Sequence, residues 1–130
     1  IIPPTGFVFH EGRVGSTLVA NLLGSNPFSM VFAESDPPVD VLTKFTHLGR
    51  TKQIKLFRDV LTLMGRSPIH EHLFFKFQSI STLSMEIALE VLLLTYAVAG
   101  LICICNGFVI FHRHSQRLLG HLCIDSLYRR

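Results

Sequence analysis

Apolar residues come in short, separated blocks along the first ninety positions, and their spacing alternates between two kinds. Gly6–His10 (GFVFH), Ser29–Ala33 (SMVFA) and 71–77 (EHLFFKF) are brief, mostly apolar runs, the pattern of strands covered on both faces of a parallel sheet. Between them the spacing turns helical. Leu18, Val19, Leu22 and Leu23 follow Ser16. Ile54, Phe57, Leu61 and Met64 line one side of 51–64, with Lys52, Lys55, Arg58 and Asp59 mostly on the other. Leu83 and Ile87 mark a third helix over 81–90, and a short one is expected at 39–45 after the turn 34–38. Gly24-Ser25-Asn26-Pro27, His47-Leu48-Gly49-Arg50 and Gly65-Arg66-Ser67-Pro68 are the stops. Strands alternating with helices predict an α/β fold built on a short parallel sheet.

The pattern changes after Glu90. Residues 91–111, VLLLTYAVAGLICICNGFVIF, carry no charge. An apolar stretch of this length reads as a transmembrane helix, and the basic His112-Arg113-His114 and Arg117 behind it would put the C-terminus in the cytoplasm. The alternative is a buried strand over 91–99, a turn at Gly100, then a second strand or helix. Residues 112–130 form a basic tail, in which Leu118, Leu119, Leu122 and Leu127 suit a short amphipathic helix over 117–130. The chain thus divides into 1–90, 91–111 and 112–130.

With 130 residues there is room for one domain at most, and a sheet-based α/β domain usually needs more. That shortness, with an opening Ile-Ile-Pro-Pro and no initiator Met, is expected of a fragment or a partial gene product. The formal charge of +3 is unevenly placed. Residues 1–90 balance eight basic against eight acidic side chains, while 91–130 hold four Arg and one Asp. The basic balance therefore describes a tail rather than a nucleic-acid-binding face. Cys103, Cys105 and Cys123 form no C-x-x-C pair, and His70, His72, His112 and His114 lack partners at ligand spacing, so no metal is expected. No signal-peptide pattern is visible at the N-terminus.

The chemistry concentrates at residues 5–23, TGFVFHEGRVGSTLVANLL. A strand runs into a Gly-punctuated turn, Glu11-Gly12-Arg13-Val14-Gly15-Ser16-Thr17, which opens a helix. Glycine permits backbone conformations in which successive N–H groups point into one concavity, and the helix dipole adds to that field. Arg13 supplies a charged fork of donors; Ser16 and Thr17 supply hydroxyls, one of which can cap the helix. A Walker A loop is excluded, because Ser16 stands where the Lys of G-x-x-x-x-G-K-[ST] would be.

Arg13-Val14-Gly15-Ser16-Thr17 resembles instead the loop of sulfotransferases, in which a cation, one residue, Gly and two hydroxyl residues open the first helix. Arg in place of the commoner Lys looks most like tyrosylprotein sulfotransferases. The resemblance implies a partial P-loop three-layer fold over about residues 5–90, roughly two thirds of the chain, with the C-terminal apolar helix appended. It further implies that Gly12, Arg13, Val14, Gly15, Ser16 and Thr17 hold the 5′-phosphosulfate of PAPS (3′-phosphoadenosine 5′-phosphosulfate), the co-substrate. The partners would be PAPS and an unidentified hydroxyl acceptor, without a metal; a membrane is a partner only on the transmembrane reading of 91–111.

Two further residues fall on family positions. Glu34, just past the second strand, matches the base that takes the acceptor's proton; read by itself it is equally a turn carboxylate capping the next helix. Lys76, a lone cation in an apolar strand, matches the lysine that contacts the reacting sulfonate; read by itself it is an edge or snorkelling lysine. The expected catalytic set is therefore Glu34, Lys76 and Arg13. The likeness ends at Glu90. The family continues into a strand ending in an Arg-Asp pair and a helix bearing a Ser, which together bind the 3′-phosphate of PAPS. After Glu90 this chain has no Arg before Arg113 and no Arg-Asp pair. An incomplete 3′-phosphate site makes an inactive anion- or nucleotide-binding relative one alternative function; a small membrane-anchored protein whose N-terminal half only packs is the other.

Overall fold

A computed structural model describes residues 1–11, 15–91, 100–105 and 108–112, the last two stretches as backbone strands. Strands β1 (Gly6–His10), β2 (Ser29–Ala33) and β3 (His72–Lys76) form a parallel core in the order β2-β3-β1. Strand β4 (Gly100–Cys105) adds to β1 in parallel, and β5 (Phe108–His112) adds to β4 antiparallel. Helices α1 (Ser16–Gly24), α2 (Asp36–Thr43), α3 (Arg50–Met64) and α4 (Met85–Val91) complete the described elements, with short 3-10 segments at Thr46–Leu48 and Ser79–Ser84.

The sheet order dictates where the helices go. From β1 the chain steps outward past β3 to β2, then reverses, returning to β3 and crossing to β4. Parallel crossovers are right-handed, so reversing the step moves the connecting helix to the opposite face. The packing agrees. Val8 meets Val19 and Leu23 of α1 on one face. Phe7, Phe9, Leu73, Phe75 and Phe77 meet Leu42 of α2, Phe57 and Leu61 of α3 and Met85 and Ala88 of α4 on the other. Aromatic rings dominate this larger core: Phe77 stacks on Phe9 at 4.8 Å between centroids and meets Phe7 edge-on at 5.3 Å. Buried Gln53 ties two helices there, its Nε2 donating to the Val41 carbonyl at 2.8 Å and the Leu42 carbonyl at 3.4 Å. Those carbonyls lie in the last turn of α2, where a helix leaves acceptors unsatisfied.

Several boundaries differ from expectation. Helix α2 begins at Asp36 rather than 39, because Pro37 and Pro38 sit in the first turn, where no intrahelical N–H is required. The segment after β3 starts as a 3-10 helix, Ser79–Ser84, before α4. Most consequential is 91–111, which is not a single apolar helix. Its residues 100–105 pair with β1 from Gly6↔Gly100 to His10↔Ile104, and 108–112 pair back onto β4. The strand expected over 91–99 lies outside the described residues apart from Val91, which ends α4; Gly100, expected as a turn, opens β4, so the second strand or helix expected beyond it is a strand. A lack of charge suits a strand shielded on both faces as well as it suits lipid, and only two residues, Asn106-Gly107, separate β4 from β5. Asn-Gly between apolar runs is a strong hairpin signal. Among the described residues no helix is long and apolar enough to cross a membrane. The amphipathic helix expected over 117–130 lies outside the described residues.

The lead-in segment is fastened at Gly65, whose carbonyl accepts from the Ile2 N–H at 2.8 Å. A Cβ on Gly65 would stand 2.3 Å from the Ile2 carbonyl oxygen and 3.1 Å from Leu73 Cδ2. Gly65→Ala is therefore expected to cost about 1–3 kcal/mol through overpacking against backbone. Gly24→Ala, whose Cβ would meet nothing closer than Val31 Cγ2 at 3.7 Å, is the matched control. Urea denaturation of both variants checks this; equal midpoints would show that the N-terminal segment is not held at Gly65.

Candidate functional site

Strands β1 to β4 are mutually parallel, so their carboxyl ends lie along one edge of the sheet. The chain reverses its stepping direction around β1, and in open α/β sheets ligands settle beyond the carboxyl ends at such a reversal. Four features gather at this edge: the end of β1 at His10, the start of α1, Glu34 after β2, and Lys76 at the end of β3.

Gly15 occupies the N-cap of α1 with φ +85° and ψ +15°, a left-handed conformation that a side chain disfavours. The Val19 N–H already reaches back to its carbonyl at 3.2 Å. Ser16 and Thr17 are thus the first helical residues, and no side chain caps α1, contrary to the expectation that one of their hydroxyls would. Ser16 is buried and Thr17 exposed. Gly12, Arg13 and Val14 lie outside the described residues.

Glu34 and Lys76 are brought together. The Lys76 ammonium donates to Glu34 Oε1 at 2.5 Å, and the Glu34 backbone N–H donates to the Lys76 carbonyl at 2.7 Å. Register explains the meeting: Ala33 pairs with Lys76, so the residue after Ala33 turns directly over the end of β3. Glu34 is the single non-glycine residue with positive φ, +56°, among the described residues. That conformation is sparsely populated and persists where the surroundings over-determine it, commonly at functional sites. Lys76 is 6% exposed, whereas the Glu34 side chain is 42% exposed. Lys76 is therefore a buried cation with one wet partner, rather than a lysine snorkelling into solvent. Glu34 does not cap α2: Ser35 takes the N-cap position, and no side chain caps that helix.

His10 belongs to this group although sequence reasoning overlooked it. It is 6% exposed, and its backbone carbonyl accepts from Thr82 Oγ1 at 3.1 Å. Burial first, then the Lys76 charge, holds its imidazole below the ordinary histidine value; a hydrogen bond with the Phe77 backbone and the Glu34 carboxylate act the other way. The signal was a histidine closing an otherwise apolar strand, one residue before a Gly-rich turn. Ser81, fully buried in the next segment, has a hydroxyl with no hydrogen-bond partner among the described residues.

This edge combines a helix N-terminus behind a left-handed glycine, a buried ammonium, a carboxylate half in water and an imidazole of lowered proton affinity. Such a set can hold an anion and move a proton. Compared with models of known protein families, with characterised proteins and with solved structures, the chain has no significant match.

Proposed function

We propose that the chain is a sulfotransferase-like P-loop protein whose carboxyl edge transfers a sulfonate from PAPS to a hydroxyl acceptor. The observation that carries this is the Lys76–Glu34 contact, on the same edge of the sheet as the N-terminus of α1. A cation for the sulfonate and a base for the acceptor come from neighbouring strand ends, on the sheet edge where β1 ends and α1 begins.

The donor's 5′-phosphosulfate would lie across the backbone N–H groups of Gly12 to Gly15, with Arg13 and the hydroxyls of Ser16 and Thr17 closing on its oxygens. During transfer, negative charge grows on the oxygen that bridges sulfur and the departing phosphate. Donors fixed beforehand at that position lower the barrier without reorganising. Lys76 neutralises the sulfonate as it moves. Lys76 and Glu34 satisfy one another in the free protein. A sulfonate gives Lys76 a second anionic partner, which leaves the Glu34 carboxylate free to take the acceptor's proton. The solvent-facing side of Glu34 is where an acceptor hydroxyl can approach.

A second reading is an anion- or nucleotide-binding relative that transfers nothing. It is favoured by the lack of an Arg-Asp pair after Glu90, which leaves no counterpart of the family's 3′-phosphate ligands. Both readings share the loop, so its test comes first. Equilibrium binding of adenosine 3′,5′-bisphosphate should weaken about tenfold to a hundredfold on Arg13→Ala, the loss expected of a hydrogen bond between charged groups. Unchanged affinity in the folded variant would remove the loop from the site. Turnover of radiolabelled PAPS with a panel of alcohols and phenols then separates the enzyme from the inactive relative.

A further inference from the structure

Strand β2 is an outermost strand of the sheet. β3 pairs with it on one side, and among the described residues nothing pairs with it on the other. The ladder fixes which of its backbone groups are left over. Successive residues of a strand turn their N–H and C=O groups to opposite sides. The Glu34 N–H donates to the Lys76 carbonyl of β3, so Met30 and Phe32, in step with Glu34, bond to β3 as well. Ser29, Val31 and Ala33 therefore aim their backbone groups away from the sheet. The Ser29 N–H is already taken, by the Asn26 carbonyl at 2.9 Å. The N–H groups of Val31 and Ala33 and the carbonyls of Ser29, Val31 and Ala33 remain as an open edge.

Edge strands are normally guarded by a lysine, a proline or a bulge. β2 has none of these: Ser29-Met30-Val31-Phe32-Ala33 is uncharged, and its register to β3 runs unbroken from Ser29↔His72 to Ala33↔Lys76. Met30, Val31 and Phe32 are only half-buried, and Phe28 just ahead of them is 52% exposed. The edge thus offers unpaired backbone together with apolar side chains.

A second copy of β2 matches this edge residue for residue. Laid antiparallel with Val31 on a two-fold axis, two copies overlap over all five residues. Each Val31 N–H donates to the Val31 carbonyl of the other copy, and each Ala33 N–H donates to the other copy's Ser29 carbonyl. Every open N–H is then used, and the ladder stops at Ser29, whose N–H the chain has already satisfied. Met30 falls opposite Phe32, and no like charges meet within the ladder.

We propose that β2 is a self-association edge, through which two copies of this chain pair antiparallel about Val31 and join their sheets into one. Such an isologous pairing consumes the edge in both copies and so closes at a dimer. Its contact is small, which makes the dimer a weak one that forms at high concentration. Pairing at β2 is independent of whether an anion binds at the carboxyl edge.

Sedimentation equilibrium of the full chain, up to about 1 mM, should show monomer and dimer in exchange. Val31→Lys and Val31→Glu each set like charges face to face on the axis and should weaken the dimer at least about tenfold. An equimolar mixture of the two variants should dimerise again, because Lys then faces Glu. The wild-type chain gives a check free of substitution. Its Val31 and Ala33 amides should exchange more slowly with deuterium as concentration rises, while those of Met30 and Phe32, already bonded to β3, change less. A chain that stays monomeric at about 1 mM overturns the proposal. So does a dimer that both variants leave intact, or one that leaves the Val31 and Ala33 amides unslowed, since the contact then lies on another surface. Loss in both folded variants without recovery in the mixture takes Val31 off the axis and overturns the register. If a variant fails to fold, the wild-type amides decide alone: slowing at Val31 and Ala33 supports the pairing, and its absence overturns it.

Discussion

Replacing Glu34 by Gln is expected to lower sulfonate transfer by about a hundred- to ten-thousandfold, the range that a positioned general base contributes. The amide oxygen can still accept from the Lys76 ammonium, which reaches Glu34 Oε1 at 2.5 Å in the native chain. The backbone bond from residue 34 to the Lys76 carbonyl does not involve the side chain. Gln also tolerates the left-handed backbone about as well as Glu. The substitution therefore removes the base and little else. Bisphosphate affinity should stay as it was, because the nucleotide contacts proposed are those of the loop and α1. If Glu34→Gln loses nucleotide binding together with transfer, Glu34 serves to hold the edge in shape rather than to accept a proton.

Lys76→Met is expected to separate stability from activity. Lys76 is 6% exposed, so burying its ammonium works against folding. Met fills a similar volume with no charge to desolvate. The abandoned Glu34 carboxylate, 42% exposed, can hydrate where a fully buried partner could not. The variant should fold at least as stably as the native chain in urea denaturation. Its transfer rate should fall about a hundred- to a thousandfold, the loss typical of removing one preorganised electrostatic contact to a transition state. Such an opposition between stability and activity marks a residue retained for chemistry. A stable Lys76→Met protein with undiminished transfer would return Lys76 to the status of a structural oddity.

Much of the site could be read from the chain because its parts obey local rules. A strand, a left-handed glycine and a helix start follow one another within residues 6–24, and each has a short-range signature. Glu34 and Lys76 were legible as a carboxylate and a cation at strand ends. Their contact was not, because it depends on the register of β2 against β3, which no local spacing encodes. His10 was missed for a similar reason. A histidine at the end of a strand says little until Lys76 is known to sit on the same face of the neighbouring strand. The stretch after Glu90 misled in a different way. Hydropathy cannot distinguish lipid from the interior of a sheet, and the informative residues there were Gly100 and Asn106-Gly107, which punctuate the apolar run. Two prolines displaced the expected start of α2 for an equally local reason: in a first helical turn proline favours a helix instead of breaking it.

The central claim is one of place: an anion is held where β1 turns into α1, with Glu34 and Lys76 beside it. Hydrogen exchange of the full chain, with and without saturating adenosine 3′,5′-bisphosphate, reads place directly. Slower exchange is predicted in peptides covering residues 11–18 and the strand ends at 33–35 and 76–78, with no change at 66–71 on the opposite edge. Saturation with no slowing at 11–18, or slowing confined to another part of the chain, would contradict it.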